Sequence, residues 1–540
     1  MKKLLVFLSF ALIACAEKPE SSVYVRNTPV LALKELNEIA DVHVSSADSS
    51  AFSISKVEVC IGSDNGLEDL TRLCVMSDGL EIASKDLRLK GRKAEISLPC
   101  ALCSDGSELS FSIGLKTADV VDLDNKLSID AVRLKTSSGR IRPAISGAAV
   151  LRMGVALRQS GQDGVFISRI PGLAITPAGT IIAIYDARYA LERDLQADID
   201  ICCNRSTDGG RSWSDMSVVM DMGEWGGLPQ KYNGVSDPCI LVDDNSGDVY
   251  VSACWMHGVN DPETGKWVEG LTEESEVWNH QWRHNATHPG YDVRQSSQWL
   301  IVKSTDDGRT WTEPQNLTSQ VKPEDFCLMI NAPGAGITLD DGTLVFPAQG
   351  KRADESNFST LICSRDGGNS WSAGNPAISD HSIHSNECMA AQLGDGSIML
   401  NMRSNKNRKN HDENGRLVCV TKDLGQTWEE HPTSGHVLTE PTCQGSLLKH
   451  LYTDAEGVEH ELLLFHNPAD PDSRVHFTLK CSLDEGMSWP EEMWLELDEF
   501  WGYGYSCMIS IDNDTIGIVY EGSGACLVFQ RIKISDIVKF

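Results

Sequence analysis

From residue 177 onward, short apolar runs alternate with turns in two interleaved rhythms. One is a turn followed by an apolar strand, at 177–183, 245–253, 340–347, 394–400, 454–465 and 513–520. The other is an eight-residue box, Ser/Thr-x-Asp-x-Gly-x-x-Trp, at 206–213, 304–311, 364–371, 421–428 and 482–489. A β unit of this size cannot bury its apolar face alone, so repeated units stack side by side and close on themselves. Six turn-strand signals against five boxes predict a six-bladed β-propeller over 151–540, in an all-β chain.

Each box has the chemistry of a hairpin turn. Its Asp can accept hydrogen bonds from turn amides, its Gly supplies a positive φ, and its Trp is a large apolar plate to set between sheets. A carboxylate needed in every unit serves every unit, so these five Asp residues are expected to be structural. The interval from Gly247 to Trp311 is about twice its counterparts elsewhere in the chain, which marks an insertion in the second unit, rich in Trp and His, as a candidate functional loop.

Residues 22–150 contain no box. Alternating stretches at 51–60, 109–116 and 131–135, separated by Gly/Ser/Asp turns, predict a β-sandwich, a possible carbohydrate-binding module, with the junction to the propeller in 136–147. Residues 1–21 read as an export signal: Lys2 and Lys3, an apolar run over 4–14, then small residues. Leu12-Ile13-Ala14-Cys15 is similar to a bacterial lipobox, which would make Cys15 an acylated first residue; ordinary cleavage after Ala16 is the alternative. The expected location is the outer membrane or cell surface as a lipoprotein, otherwise the periplasm or the medium.

Of the 540 residues, 41% are hydrophobic and 23% charged, ordinary for a soluble protein. The formal charge of −30 argues against nucleic acid or an anionic membrane as partner and leaves a lipid at Cys15 as the expected membrane contact. An anionic substrate would need a locally basic pocket. Of the 17 cysteines, most lie in apolar strand patterns and are expected as buried thiols or bridges, with Cys60, Cys74, Cys100 and Cys103 the best candidates for pairing. With no partnered Cys-x-x-Cys and no His pair at ligand spacing, neither a metal nor a cofactor is expected.

Strand direction decides which end of the propeller can hold chemistry. Both turns of a blade lie at one end of the propeller, so the opposite rim is built from residues that begin the first and third strands or finish the second. The polar residues there are Arg169, Arg188, Asp237, Glu387, Arg403, Arg474, Tyr505 and Glu521. Converging arginines with carboxylates among them suit a carboxylate-binding site equipped with acid/base groups.

Arg169-Ile170-Pro171-Gly172, Asp186-Ala187-Arg188, Asn331-x-Pro333-Gly334, the run from Asp341 to Pro347, Leu400-Asn401-Met402-Arg403, Gly504-Tyr505-Ser506 and Tyr520-Glu521, with the five boxes, resemble the bacterial exo-α-sialidases (neuraminidases) from about residue 151 to the end. The upstream sandwich resembles the N-terminal module of some gut-bacterial sialidases. The resemblance implies that Arg169, Arg403 and Arg474 clamp the sialic acid carboxylate and that Glu521 orients the first of them. It implies Asp194 as general acid/base, with Asp198 and Asp200 as rivals, and puts Arg188 and Asp237 near the 4-hydroxyl. Tyr505 would be the nucleophile, with Tyr503 close enough to be confused with it, and Glu387 the base that activates it. Trp255, Met256 and Trp278 could line an N-acetyl pocket or simply pack.

The implied function is a retaining exo-α-sialidase that hydrolyses terminal α-linked sialic acid from glycoproteins, glycolipids and oligosaccharides through a tyrosyl-enzyme. A non-catalytic sialoglycan-binding propeller and a trans-sialidase are the alternatives.

Overall fold

The computed structural model describes residues 20–46, 50–104, 106–195, 197–261, 263–264, 266–272, 274–280, 287–404 and 414–539. Residues 1–19 of the expected export signal, Cys15 among them, lie outside the described residues, and residues 20 and 21 begin the first strand. Among the described residues no helix is long and apolar enough to cross a membrane. The chain divides into two compact units.

The N-terminal unit is built from two sheets. One has six strands, among them Glu20–Val25, Asn37–Ser45, Leu70–Ser77 and Glu108–Thr117; in the other, Ser53–Ser63 pairs with both Lys93–Cys103 and Lys126–Thr136. Inward-facing Val57, Val59, Val132 and Leu134 are buried, while their neighbours Lys56, Glu58, Arg133 and Lys135 face outward, the period-two alternation of a half-buried sheet. The stretch 136–147 adds two short strands, Gly139–Ile141 and Ala144–Gly147, and the chain leaves the unit at Leu151.

The expected disulfides do not form: every cysteine among the described residues is a free thiol. Cys60 and Cys74 belong to different sheets and lie against Glu95 and Glu81. Cys100 and Cys103, three positions apart on one strand, point to opposite faces of it.

The second unit is the six-bladed propeller. Blade one is Ile167–Ile175, Ile181–Arg188, Ile199–Ser206 and Ser217–Met220, and blades two to five follow the same antiparallel plan. Blade six takes Ser506–Asp512, Thr515–Tyr520 and Leu527–Lys533 from the end of the chain and completes itself with Leu151–Arg158 from the start of the unit, Val155 opposite Phe529. That closure accounts for the missing sixth box: the last blade has no third-to-fourth hairpin. The second strand of blade one is buried at every position, wedged between a sheet partner on each edge and a blade on each face.

The boxes behave alike in all five places. In the first, Ser206 Oγ donates to Asp208 Oδ1, the Gly210 amide donates to Ser206 Oγ, and Ser212 donates to Asp208 from both its amide and its hydroxyl. The same ladder recurs around Asp306, Asp366, Asp423 and Asp484. Each carboxylate is occupied by its own turn. Gly210, at φ 88°, also lies so close to the Phe529 ring that a Cβ would sit 2.1 Å from it, and Trp213 meets that ring edge-on at 5.0 Å. The turn of blade one is thereby docked on blade six.

The insertion in blade two, between Val249–Trp255 and Gln298–Ser304, packs Trp255 and Trp278 fully into the blade core with His257 and His280 between them. Their role is therefore packing, and Met256 borders a neighbouring apolar cluster. His280 Nδ1 accepts from the His257 amide at 2.9 Å and Nε2 donates to the Val293 carbonyl at 2.8 Å, an arrangement only the neutral ring satisfies.

Burial pushes the His280 pKa down to about 3, and likewise that of His257 to about 4. A group depressed in the folded state contributes stability that is present above its unfolded pKa of about 6.5 and is lost as pH falls toward the folded value. The melting temperature is expected to fall as pH drops from 7 to 4, with a shallower slope in His280→Gln. An unchanged slope in that variant excludes His280 as a source of the acid sensitivity.

Candidate active site

The rim opposite the boxes collects side chains from blades one, two, four, five and six. Three first strands carry a β-bulge at the functional position: between Arg169 and Gly172, Ser236 and Cys239, and Ser385 and Cys388. A bulge re-aims a side chain at the end of a strand, and here it turns Arg169, Asp237 and Glu387 to the rim. In two of the three a positive-φ residue precedes a proline, Ile170 (58°) before Pro171 and Asp237 (59°) before Pro238. The proline has no amide to lose where the ladder breaks.

Tyr505 is the centre of the cluster. Gly504, at φ 92° and packed against Cys443, delivers it just ahead of the first strand of blade six, and its ring is buried with Ile170 and Cys443. Its hydroxyl donates to Glu387 Oε1 at 2.5 Å, and Arg403 Nη1 reaches both that hydroxyl, at 2.9 Å, and Glu387 Oε2, at 2.5 Å. The Arg169 and Arg474 guanidinium carbons each lie 5.7 Å from the Tyr505 ring centroid, so three cations surround one phenol. Burial, and then the Glu387 charge, push the Tyr505 pKa well above its ordinary value; the resting phenol is neutral. Burial opposes the charge on Arg403, but Glu387 and then Tyr505 more than offset it and raise its pKa well above the ordinary value.

Each arginine is fixed by the protein in part only. Glu521, fully buried, accepts from Arg169 Nε at 2.7 Å and Nη2 at 3.2 Å, and also from the amides of Ile170 and Tyr505. The Nε of Arg403 is buried without a hydrogen-bond partner among the described residues. Arg474, on the loop between Glu459–Pro468 and Phe477–Ser482, donates from Nη1 to the Tyr503 carbonyl at 2.7 Å.

A second cluster adjoins the first. Arg188 is buried, with Asp186 2.7 Å and Asp194 2.5 Å from its Nη2. Asp194 lies in the loop after the second strand of blade one; the next residue, Leu195, at φ 55°, is buried in the core, which levers the Asp194 carboxylate outward, 62% exposed. Its rivals differ: Asp200 is in the third strand, buried and accepting from the Tyr189 hydroxyl, and Asp198 directly precedes that strand. Burial, followed by the charges of Asp194, Asp186 and Glu387, raises the Asp237 pKa well above the carboxylate range.

All nine residues singled out in the sequence therefore lie on this rim, in two linked groups. The family described as "BNR repeat-like domain" matches residues 179–519. Over 431 residues, 79% of this chain and 74% of the relative, the sequence is 38% identical to a sialidase of Bacteroides fragilis (strain YCH46).

The chain belongs to the bacterial sialidase family.

A Clostridium perfringens sialidase is 29% identical over 380 residues, covering 66% of this chain and 86% of its own. The solved structure of the Hadza microbial sialidase Hz136 matches with a TM-score of 0.81 and 31% identity, covering 96% of this chain and all of its own. This sialidase is thus a glycoside hydrolase that binds sialic acid substrates.

Some residues of the site escaped the sequence reading. Asp186 is the hub of the second group, accepting from Arg188, the Ser236 hydroxyl and the Asp237 amide. The signal was present in Asp186-Ala187-Arg188, since residues two apart on a strand share a face. Tyr503 is more than a neighbour of Tyr505: its ring lies 3.9 Å from the Arg169 guanidinium carbon, and its hydroxyl donates to Glu192 Oε1 at 2.7 Å. Glu192 is on the Asp194 loop. Beneath Arg403, the fully buried pair Arg416–Glu440, 2.7 Å apart, holds the Ser404 amide. Nothing in the local sequence marks these partners, because they lie tens to hundreds of residues apart.

Proposed function

We propose that this sialidase removes terminal α-linked sialic acid from glycoproteins, glycolipids and oligosaccharides with retention, through a tyrosyl-enzyme intermediate. The observation that carries the reading is the 2.5 Å contact from the Tyr505 hydroxyl to Glu387, inside a ring of three arginines. A sialoside bears a carboxylate on the carbon under attack, so an Asp or Glu nucleophile would approach against like charge. Tyrosine, the recognised exception to the two-carboxylate rule, approaches neutral.

In the first step Arg169, Arg403 and Arg474 receive the substrate carboxylate as planar forks. The phenol proton passes to Glu387 while the phenolate oxygen bonds the anomeric carbon. Asp194, as general acid, gives a proton to the departing glycosidic oxygen. In the second step Asp194 takes a proton from water, the hydroxide bonds the anomeric carbon, and the phenolate leaves and recovers its proton from Glu387. Asp237, held protonated among carboxylates, has a proton to donate to a substrate oxygen beside Arg188, in keeping with a role at the 4-hydroxyl.

The test is stereochemical. Proton NMR during hydrolysis of a chromogenic α-sialoside is expected to reveal α-sialic acid first and the β-anomer only by later mutarotation. Initial release of the β-anomer overturns the double displacement. Adding lactose as acceptor separates a hydrolase from a trans-sialidase, which would form a sialylated disaccharide at the expense of free sugar. For its location we propose export with a lipid anchor at Cys15; metabolic labelling with a fatty acid that survives in Cys15→Ala overturns the anchor.

A further inference from the structure

The N-terminal unit has a cavity of its own, about 420 Å³, on the outward face of the sheet that contains Ser53–Ser63 and Lys126–Thr136. Five cations line it, Lys56, Arg133, Lys135, Arg140 and Arg142, against one carboxylate, Glu58. In a chain with a formal charge of −30 this is an unusual concentration of positive charge.

Strand register makes the concentration sharper. Lys135 stands directly opposite Lys56 on one side and opposite Arg140 on the other, so three cations from three neighbouring strands occupy one rung. Like charges facing each other across a sheet are destabilising, and the protein relieves only part of this rung. Lys56 pairs with Glu58 at 2.6 Å and Arg133 with Glu95 at 3.0 Å; Lys135, Arg140 and Arg142 have no carboxylate partner among the described residues. Lys56, then Arg140 and Arg133, hold the Glu58 carboxyl below its ordinary range, which indicates that cations from all three strands act on one point.

The lining also selects the chemistry of a ligand. No aromatic ring among the described residues borders the cavity to give the face-on stacking that receives a neutral sugar, whereas guanidinium forks match tetrahedral and planar oxyanions. One carboxylate-bearing sugar would leave most of the cations unpaired. A nucleic acid long enough to engage them would meet the acidic remainder of the molecule. We propose that this cavity binds a glycan bearing several sulfate esters. Such a site would hold the enzyme on densely anionic glycans while the propeller works on their sialic acids. The choice of a carbohydrate rests on the sialidase reading; the binding itself is measured without turnover, so failure of one is distinguishable from failure of the other.

The experiment uses the full chain and a fluorescein-labelled heparin hexasaccharide, read by anisotropy, with the desulfated hexasaccharide as control. The sulfated probe is expected to bind at low salt and to weaken steadily with added NaCl, and the desulfated probe to bind at least tenfold more weakly. The double variant Lys135→Glu/Arg140→Glu should lose at least tenfold in affinity while kcat/KM on a small chromogenic sialoside stays unchanged. Both side chains are exposed; if melting nevertheless reveals misfolding, Arg142→Ala gives the same readout at another exposed position. Equal affinity in wild type and variants overturns the proposal. So does equal affinity for the desulfated probe, or tighter binding of a single-stranded oligonucleotide of matched charge.

Discussion

Tyr505→Phe is expected to lose about three orders of magnitude in kcat on a chromogenic sialoside, equivalent to ~4 kcal/mol of transition-state stabilisation, with little change in melting temperature. The variant deletes one oxygen and leaves the rest in place: the ring still packs on Ile170 and Cys443, and Arg403 keeps its 2.5 Å contact with Glu387. A structural role for the hydroxyl would appear as lost stability with activity spared, the reverse pattern. The companion measurement is trapping: a 2,3-difluorinated sialic acid should add one sugar to the wild-type peptide containing Tyr505 and none to the variant. Label on Tyr503 or on a carboxylate, or undiminished turnover in the variant, overturns the assignment.

Glu521→Gln should damage both stability and catalysis. Its carboxylate accepts from two nitrogens of Arg169 and from two backbone amides. Neutralising it leaves a buried guanidinium without its counter-charge, which costs about 3–5 kcal/mol and is expected to lower the Tm by roughly 5–10 °C. Because the same carboxylate holds the Ile170 and Tyr505 amides, the Arg169 guanidinium and the Tyr505 phenol should shift together, and kcat/KM should fall by more than about a hundredfold. Breaking the exposed pair Lys93–Asp130, where Lys93 is 81% exposed, should cost under about 1 kcal/mol. A loss of that small size at Glu521 would mean that Arg169 finds another partner.

The legible and illegible parts of this molecule divide on a physical line. Blades could be read because the box and the turn-strand signal are local: Asp208 is satisfied by Ser206 and Ser212, all within one octapeptide. The rim residues followed from strand direction together with the family resemblance. What stayed hidden was non-local. Glu192 meeting Tyr503, or Glu440 pairing with Arg416, depends on which loops the closed ring brings together, and no periodicity encodes that. The cysteine expectation erred for a related reason. Cys60, Cys74, Cys100 and Cys103 are near in sequence, but the sheets they belong to and the faces they take keep them apart.

The clasp of Leu151–Arg158 onto Leu527–Lys533 has a consequence in time as well as space. Tyr505 and Glu521 flank the first two strands of the blade that this clasp completes, while Arg169 comes from the first blade made. A chain emerging in order from its N-terminus holds Arg169, Asp194, Glu387 and Arg403 first, then Arg474 and Tyr505, and Glu521, the partner of Arg169, last. The two ends of the propeller meet in its last blade, and a chain shortened before Leu527 should have neither the closed ring nor the activity.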